Sequence, residues 1–113
     1  MKFMLMSYVQ ESGWGQLTKE QQQQGMAAYM AYTEALTKAG AFKMGQRLGL
    51  SASASTVRLK NGKAEILDGP YADAKEQLGG FFIIEVPNRE EAIQWAVKCP
   101  AAGHGVVEVR EMP

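Results

Sequence analysis

The sequence predicts a single α+β domain, and three observations carry that prediction. Apolar runs of strand character open the chain at Phe3 to Val9 and return at Phe81 to Val86 and Val106 to Arg110. Two stretches of helical periodicity follow strands, one over Lys19 to Ala39 and one after Asn88. Between them, Asn61-Gly62 is flanked by alternating residues, the pattern of a two-residue hairpin turn. A chain of 113 residues has room for one core and no second domain, so the domain spans residues 1–113.

The first run, Phe3 to Val9, is interrupted only by Ser7 and reads as a central strand covered on both faces. Thr18 followed by Gln21 has capping-box spacing, in which each side chain satisfies a free backbone N–H at a helix start. Met26, Tyr29, Met30, Thr33 and Leu36 then recur at three and four as one apolar stripe, and Gly40 supplies the stop. Gly25 is the weak point of that helix, at a cost of ~1 kcal/mol against Ala. Phe42 to Leu50 reads as a second strand with a bulge or close backbone approach at Gly45 and Gly49, and Ser51 to Ser55 as a mobile loop. In the hairpin, Val57 faces Ile66, Leu59 faces Ala64 and Arg58 faces Glu65, which predicts one buried and one wet face. Asn88 and Glu91 form a second capping pair, Ile93, Ala96 and Val97 the buried face, and Pro100 the end of the last helix.

The resulting order, β-α-β, hairpin, β-α-β, is that of a ferredoxin-like sandwich with an inserted β-hairpin. Both helices then lie on one face of the sheet. The other face exposes apolar side chains unless a second copy covers it, so a homodimer is expected.

Composition narrows the function. Twelve basic residues balance twelve acidic ones without clustering, which argues against direct nucleic-acid binding. Cys99 is the only cysteine, so no intramolecular disulfide forms, and a reducing, cytoplasmic setting is expected. The apolar start is too short for a signal peptide, and no run approaches the roughly 20 residues of a membrane helix. Phosphate-loop and dinucleotide fingerprints are absent, and Cys99 has no partner at metal-ligand spacing, so no cofactor or metal is expected.

The stretch Asp68-Gly69-Pro70-Tyr71-Ala72-Asp73-Ala74-Lys75-Glu76-Gln77-Leu78-Gly79-Gly80 resembles the signature of the DGPF group of the YCII-related domain family. The similarity extends from the MKFML opening through Gln46-Arg47-Leu48 to Ala92-Ile93-Gln94-Trp95-Ala96 and Val107-Glu108-Val109-Arg110. That resemblance implies a ferredoxin-like dimeric α/β barrel, bacterial members of uncharacterised function, and genes sometimes associated with extracytoplasmic-function sigma factors. It also implies a His and Asp acid-base pair in some members, one relative being a dehydrochlorinase of a chlorinated small molecule. The histidine of that pair belongs to the first helix, where this chain has Tyr29 and Tyr32 and no histidine, so the pair does not carry over.

Several residues remain as candidates, each with a plainer role beside it. Asp68 ends a strand where a cleft opens and would serve as a general base, or its carboxylate simply completes the Asp-Gly-Pro turn. Arg47, beside glycines on a strand, is built to grip a carboxylate or phosphate through two parallel hydrogen bonds, or pairs with Glu76 or Glu108. His104, between Gly103 and Gly105, titrates nearest neutrality and is the first candidate for proton transfer, or is a solvated loop histidine. Tyr71, Lys75 and Glu76 would line the same cleft or sit as exposed loop residues. Trp14, between two glycines, is a flap over a ligand or a pin for the first loop. The expectation is a module that binds a small polar or anionic molecule, with cofactor-free lyase or isomerase chemistry if it is an enzyme. The alternative is an accessory or regulatory interaction protein acting with a sigma factor.

Overall fold

A computed structural model describes residues 1–113. Its strands are β1 (Lys2–Val9), β2 (Phe42–Arg47), β3 (Ser55–Lys60), β4 (Lys63–Asp68), β5 (Gln77–Glu85) and β6 (Val106–Met112), and its helices are α1 (Glu11–Gly15), α2 (Lys19–Lys38) and α3 (Arg89–Lys98). β2, β5, β1 and β6 form one antiparallel sheet in that order, while β3 and β4 form a separate two-stranded sheet. This is the ferredoxin-like α+β arrangement with the hairpin inserted between its second and third strands. α1 and two short 3-10 turns, at Ser51–Ser53 and Pro100–Gly103, are additions to the expected order.

Local chemistry accounts for the element ends. The Thr18 hydroxyl accepts from the Gln21 N–H at 3.1 Å while the Gln21 amide oxygen accepts from the Thr18 N–H at 2.9 Å, so the α2 capping box is complete. Asn88 caps α3 from one side, accepting from the Glu91 N–H at 2.9 Å. The hairpin has the expected pairs Val57 with Ile66, Leu59 with Ala64 and Arg58 with Glu65, closed by Asn61 and Gly62 at φ of 52° and 76°.

The core lies between the sheet and the helices. Phe3, Leu5, Ile84 and Leu36 are fully buried, with Tyr32, Val86, Ala92, Ala96, Cys99 and Ala101 around them. Tyr32 contributes twice. Its ring meets Phe82 and Trp95 edge to face at 5.2 and 6.0 Å, and its hydroxyl donates to the Trp95 carbonyl at 2.6 Å.

Three expectations about burial are corrected. β1 is covered on one face only: Phe3, Leu5 and Ser7 are buried, while Met4, Met6 and Tyr8 on the other face keep partial exposure. α2 buries Leu36 as expected but adds Tyr32 and leaves Met30 72% exposed, and α3 buries Ala96 as expected, with Ala92 beside it, while Val97 stays 65% exposed. In α3 the two alanines fit the close helix-to-sheet contact and Val97 falls to the flank, while in α2 Leu36 and Tyr32 make that contact and Met30 falls outside it. The hairpin buries neither face, for Val57, Leu59 and Ile66 are all exposed, because it pairs with no strand of the main sheet.

That projecting arm sets the shape. The radius of gyration is 16.0 Å, against about 13 Å for a compact domain of this length, and the molecule measures 48 × 40 × 18 Å. No helix is long and apolar enough to cross a membrane.

Burial pushes the ionisation of Tyr32 and Cys99 up, the neighbouring thiol adding to the effect at Tyr32. Groups of this sign contribute stability that is complete below their unfolded values, about 8.5 for the thiol and about 10 for the phenol, and lost as pH rises toward the folded ones. The melting temperature should therefore hold to about pH 8 and fall above it. Tyr32→Phe should flatten the fall beyond about pH 10 while costing about 1 kcal/mol at neutral pH through the lost hydrogen bond. Thermal melts from pH 7 upward measure both, and a Tyr32→Phe profile parallel to the parent would assign the fall elsewhere.

Candidate functional site

Side chains that carry polar chemistry gather at the end of the sheet where β1 and β2 finish and β5 begins. Arg47 pairs with Gly80 across β2 and β5, and Gly80 pairs with Ser7 across β5 and β1. Phe82 meets Tyr32 on α2, and a Cβ on Gly45 would lie 2.9 Å from the Phe82 ring, so this face of β2 is the one the helices cover. Arg47, two residues beyond Gly45, projects toward the same face. Arg47, Gly80 and Ser7 thus form a row across three strands, and Gly80 leaves the middle of that row without a side chain.

The helix layer supplies the opposite wall. Ser7 is buried with its hydroxyl 3.9 Å from the Cys99 thiol. Tyr29 of α2 is half-buried, and burial raises its phenol, with the Cys99 thiol adding to the rise and the Arg47 charge opposing it. At neutral pH Tyr29 is a neutral hydrogen-bonding group and not a base.

Trp14 closes the row. The Arg47 guanidinium lies 5.7 Å from the centre of its ring, a cation-π contact. The indole also rests on α2 at Gly25, where an added Cβ would come within 3.3 Å of Cζ3. Gly25, a weak point when α2 is considered as a helix, is thereby the gap that receives the tryptophan. Gln22 holds the segment from above, its amide donating to the Trp14 carbonyl at 2.9 Å.

The expected pairing of Arg47 with Glu76 or Glu108 does not occur. The ion pairs of the chain are Lys38 with Glu34 and Arg110 with Glu108, so the exposed guanidinium has an aromatic neighbour and no carboxylate. The other candidates are spread out. Asp68 ends β4 and is exposed, as are Tyr71 and Lys75 on the connection to β5, while Glu76 is partly buried there. Gly69, at φ of 101°, donates to the Ala54 carbonyl at 2.6 Å and accepts from the Thr56 hydroxyl at 2.8 Å, which fixes the turn that Asp68 begins. His104 is exposed just before β6, three strand spacings from β2, or about 14 Å across the sheet. One chain therefore does not bring His104 to Arg47.

Two residues of this region give no sign in the sequence. The Glu11 carboxylate accepts from the Ser51 N–H at 2.7 Å and from its hydroxyl at 2.6 Å, joining α1 to the 3-10 turn after β2. The Ser51 to Ser55 segment is thus held, contrary to the mobile loop expected. No group of three or more His, Cys, Asp or Glu side chains is placed to hold a metal ion. One open groove runs along the flank of α2 from Tyr29 past Met30 and Thr33, and another lies between α3 and β6 at Arg89, Ile93 and Val97.

A ferredoxin-like sheet with an inserted hairpin and a glycine-floored row at one end defines a small α+β module, and comparison with known proteins identifies its kind. The model of the YCII-related domain matches residues 1–112, and the chain belongs to that family. An uncharacterised protein of Rhizobium meliloti (strain 1021) is 31% identical over 96 residues, spanning 85% of this chain and 77% of its own. Among solved structures, 5-chloro-2-hydroxyhydroquinone dehydrochlorinase from Burkholderia phenoliruptrix AC1100, in complex with 2,5-dihydroxybenzoquinone, is similar with a TM-score of 0.57. It covers 100% of this chain and 94% of its own at 19% identity, a likeness of fold.

The fit of Trp14 against α2 has a measurable consequence. Replacing a helix-interior Gly by Ala ordinarily gains about 0.5–1 kcal/mol. Gly25→Ala should gain nothing in the parent chain and recover that gain in a Trp14→Ala background, as read by urea unfolding. An undiminished gain in the parent would mean that the indole does not rest on the helix.

Proposed function

We propose that this chain is a DGPF-type YCII protein that binds a small polar or anionic organic molecule beside Arg47, as a homodimer of the dimeric α/β-barrel kind. The observation that carries the reading is Arg47 itself, an accessible guanidinium lying over an indole ring with no carboxylate to neutralise it. Its free edge offers two parallel N–H donors to a carboxylate, phosphate or enolate. The complex of the dehydrochlorinase with dihydroxybenzoquinone supports a small organic ligand for this scaffold.

If the molecule is turned over, acid-base chemistry of lyase or isomerase type without a cofactor fits these groups. Arg47 would hold the charge that develops, and the neutral Tyr29 phenol would donate a hydrogen bond. Asp68 is a candidate for moving the proton, since the Gly69 bond to Ala54 ties its turn to the connection that follows Arg47. His104 keeps that role for a larger ligand or across a dimer. Tyr71, Lys75 and Glu76 would contact the side of the ligand away from the sheet.

The dimer is supported by the open sheet face of Met4, Met6, Tyr8, Phe81 and Ile83 and by the exposed apolar side of the hairpin. That same hairpin is the surface an accessory partner such as an extracytoplasmic-function sigma factor would use, the alternative reading. A reducing cytoplasm suits the free, buried Cys99.

Thermal-shift screening against small carboxylates, phosphates and chlorinated phenols should find compounds that raise the melting temperature, and Arg47→Ala should abolish the shift. Silence across the panel, with a sigma factor recovered in a pull-down, would favour the alternative. Sedimentation equilibrium should return twice the 12.4 kDa chain mass, and a species of single mass at micromolar concentration would remove the dimer.

A further inference from the structure

We infer that Glu11 is the positioning residue of the Arg47 site, fixing the Trp14 indole over the guanidinium by clamping α1 onto Ser51. The inference rests on the ligand reading for its purpose, but the clamp is a property of the unliganded chain. α1 is a single short helix with no buried residue and no side-chain cap of its own, so nothing within it determines where Trp14 sits. Its position comes from contacts with other elements, the Gln22 amide holding the Trp14 carbonyl and Gly25 receiving the ring, and Glu11 adds the bonds that anchor the start of the helix. The Glu11 carboxylate takes both Ser51 donors at 2.7 and 2.6 Å, and the Glu11 N–H donates to the Gln77 amide oxygen at 3.4 Å.

Those bonds join the three connections that surround Arg47. Ser51 belongs to the segment that leaves β2, four residues beyond Arg47. Gln77 begins β5, and its amide donates to the Ala74 carbonyl at 2.7 Å, holding the loop from Gly69 to Glu76. Ala54 carries the Gly69 N–H, so the Ser51 segment and that loop are joined a second time. The Glu11 carboxylate therefore joins α1 to the segment that follows Arg47, while its backbone N–H and the Gly69 bond to Ala54 tie both to the glycine-proline loop.

The consequence for binding lies in access to the guanidinium. With the indole on one side of the guanidinium, an anion is left the remaining sides, and its approach is restricted. Released from Ser51, α1 would keep only the Gln22 bond to the Trp14 carbonyl, the Gly25 contact and the Glu11 N–H bond to Gln77, and the indole would loosen over Arg47.

The test uses the two tryptophans, Trp14 and Trp95. In a Trp95→Phe chain, Trp14 alone emits. Glu11→Ala in that chain should shift the emission to the red and raise acrylamide quenching toward that of free indole. Ser51→Ala should do so in part, because the backbone N–H remains, and Ser51→Thr should restore the parent values. In a Trp14→Phe chain, the Trp95 emission should not respond to the same substitutions. Benzoate, or inorganic phosphate, should bind the Glu11→Ala protein about tenfold more weakly, the worth of a charge-assisted contact.

Unchanged quenching of Trp14 in folded Glu11→Ala protein would overturn the inference, and so would parallel loosening of both tryptophans. Undiminished benzoate binding in Glu11→Ala would overturn it as well. A Trp14 response with no anion binding in any variant would instead uphold the clamp and remove the ligand reading.

Discussion

β1 is hydrogen-bonded along both edges, to β5 on one side and β6 on the other, and its alternation divides the molecule. Phe3, Leu5 and Ser7 point under the helices, while Met4, Met6 and Tyr8 point away from them. A strand has a period of two, so a slip of one residue would exchange the two sets and put Met4 and Met6 where the Phe3 and Leu5 contacts are made. The register of the sheet, the place of Ser7 beside Cys99 and the row that ends at Arg47 all depend on that one alternation. Because the helices cover a single face, each chain is a slab 18 Å thick, with sulfur and aromatic groups on its uncovered side.

Most of the fold was legible because it is written in local chemistry. Capping pairs, the Asn61-Gly62 turn and the runs of β1 and β5 are short-range patterns, and short-range hydrogen bonding decides them. Burial was less legible. Of the stripe Met26, Tyr29, Met30, Thr33 and Leu36, Leu36 is inside and Met26 and Met30 are not, and the inward place goes to Tyr32, which meets Phe82 and the Trp95 carbonyl. A hydrophobic period states that a face exists. Which neighbour it meets is a matter of packing that one helix does not contain. The hairpin fails in the same way, since its alternation is correct and the surface it would cover is absent from the same chain.

The site was legible in part. Arg47 and Trp14 each stood out by their glycine neighbours, but their contact joins residues far apart in the chain and leaves no mark in either stretch. Gly25 carried the one available sign. A glycine within a capped helix weakens that helix, so its presence there indicates that something approaches closely, and that something is the indole. Glu11 and Ser51 are common residues in unremarkable settings, and only the fold reveals a carboxylate taking both donors of one serine. His104 and Arg47, attractive as a pair by residue type, stand at opposite edges of the sheet because the strand order separates what chemistry alone would combine.

The position of β1 also governs the order in which the sheet can be completed. The central strand lies at the start of the sequence, and its ladder with β6 aligns Lys2 with Met112. Its partners on both sides are the last two strands, whereas the hairpin closes on neighbours only two residues apart. During synthesis the hairpin and α2 can form as soon as they emerge, but the opening strand must wait for β5 and then β6 before either edge is satisfied. An apolar ribbon with two unpaired edges invites association with other chains during that interval.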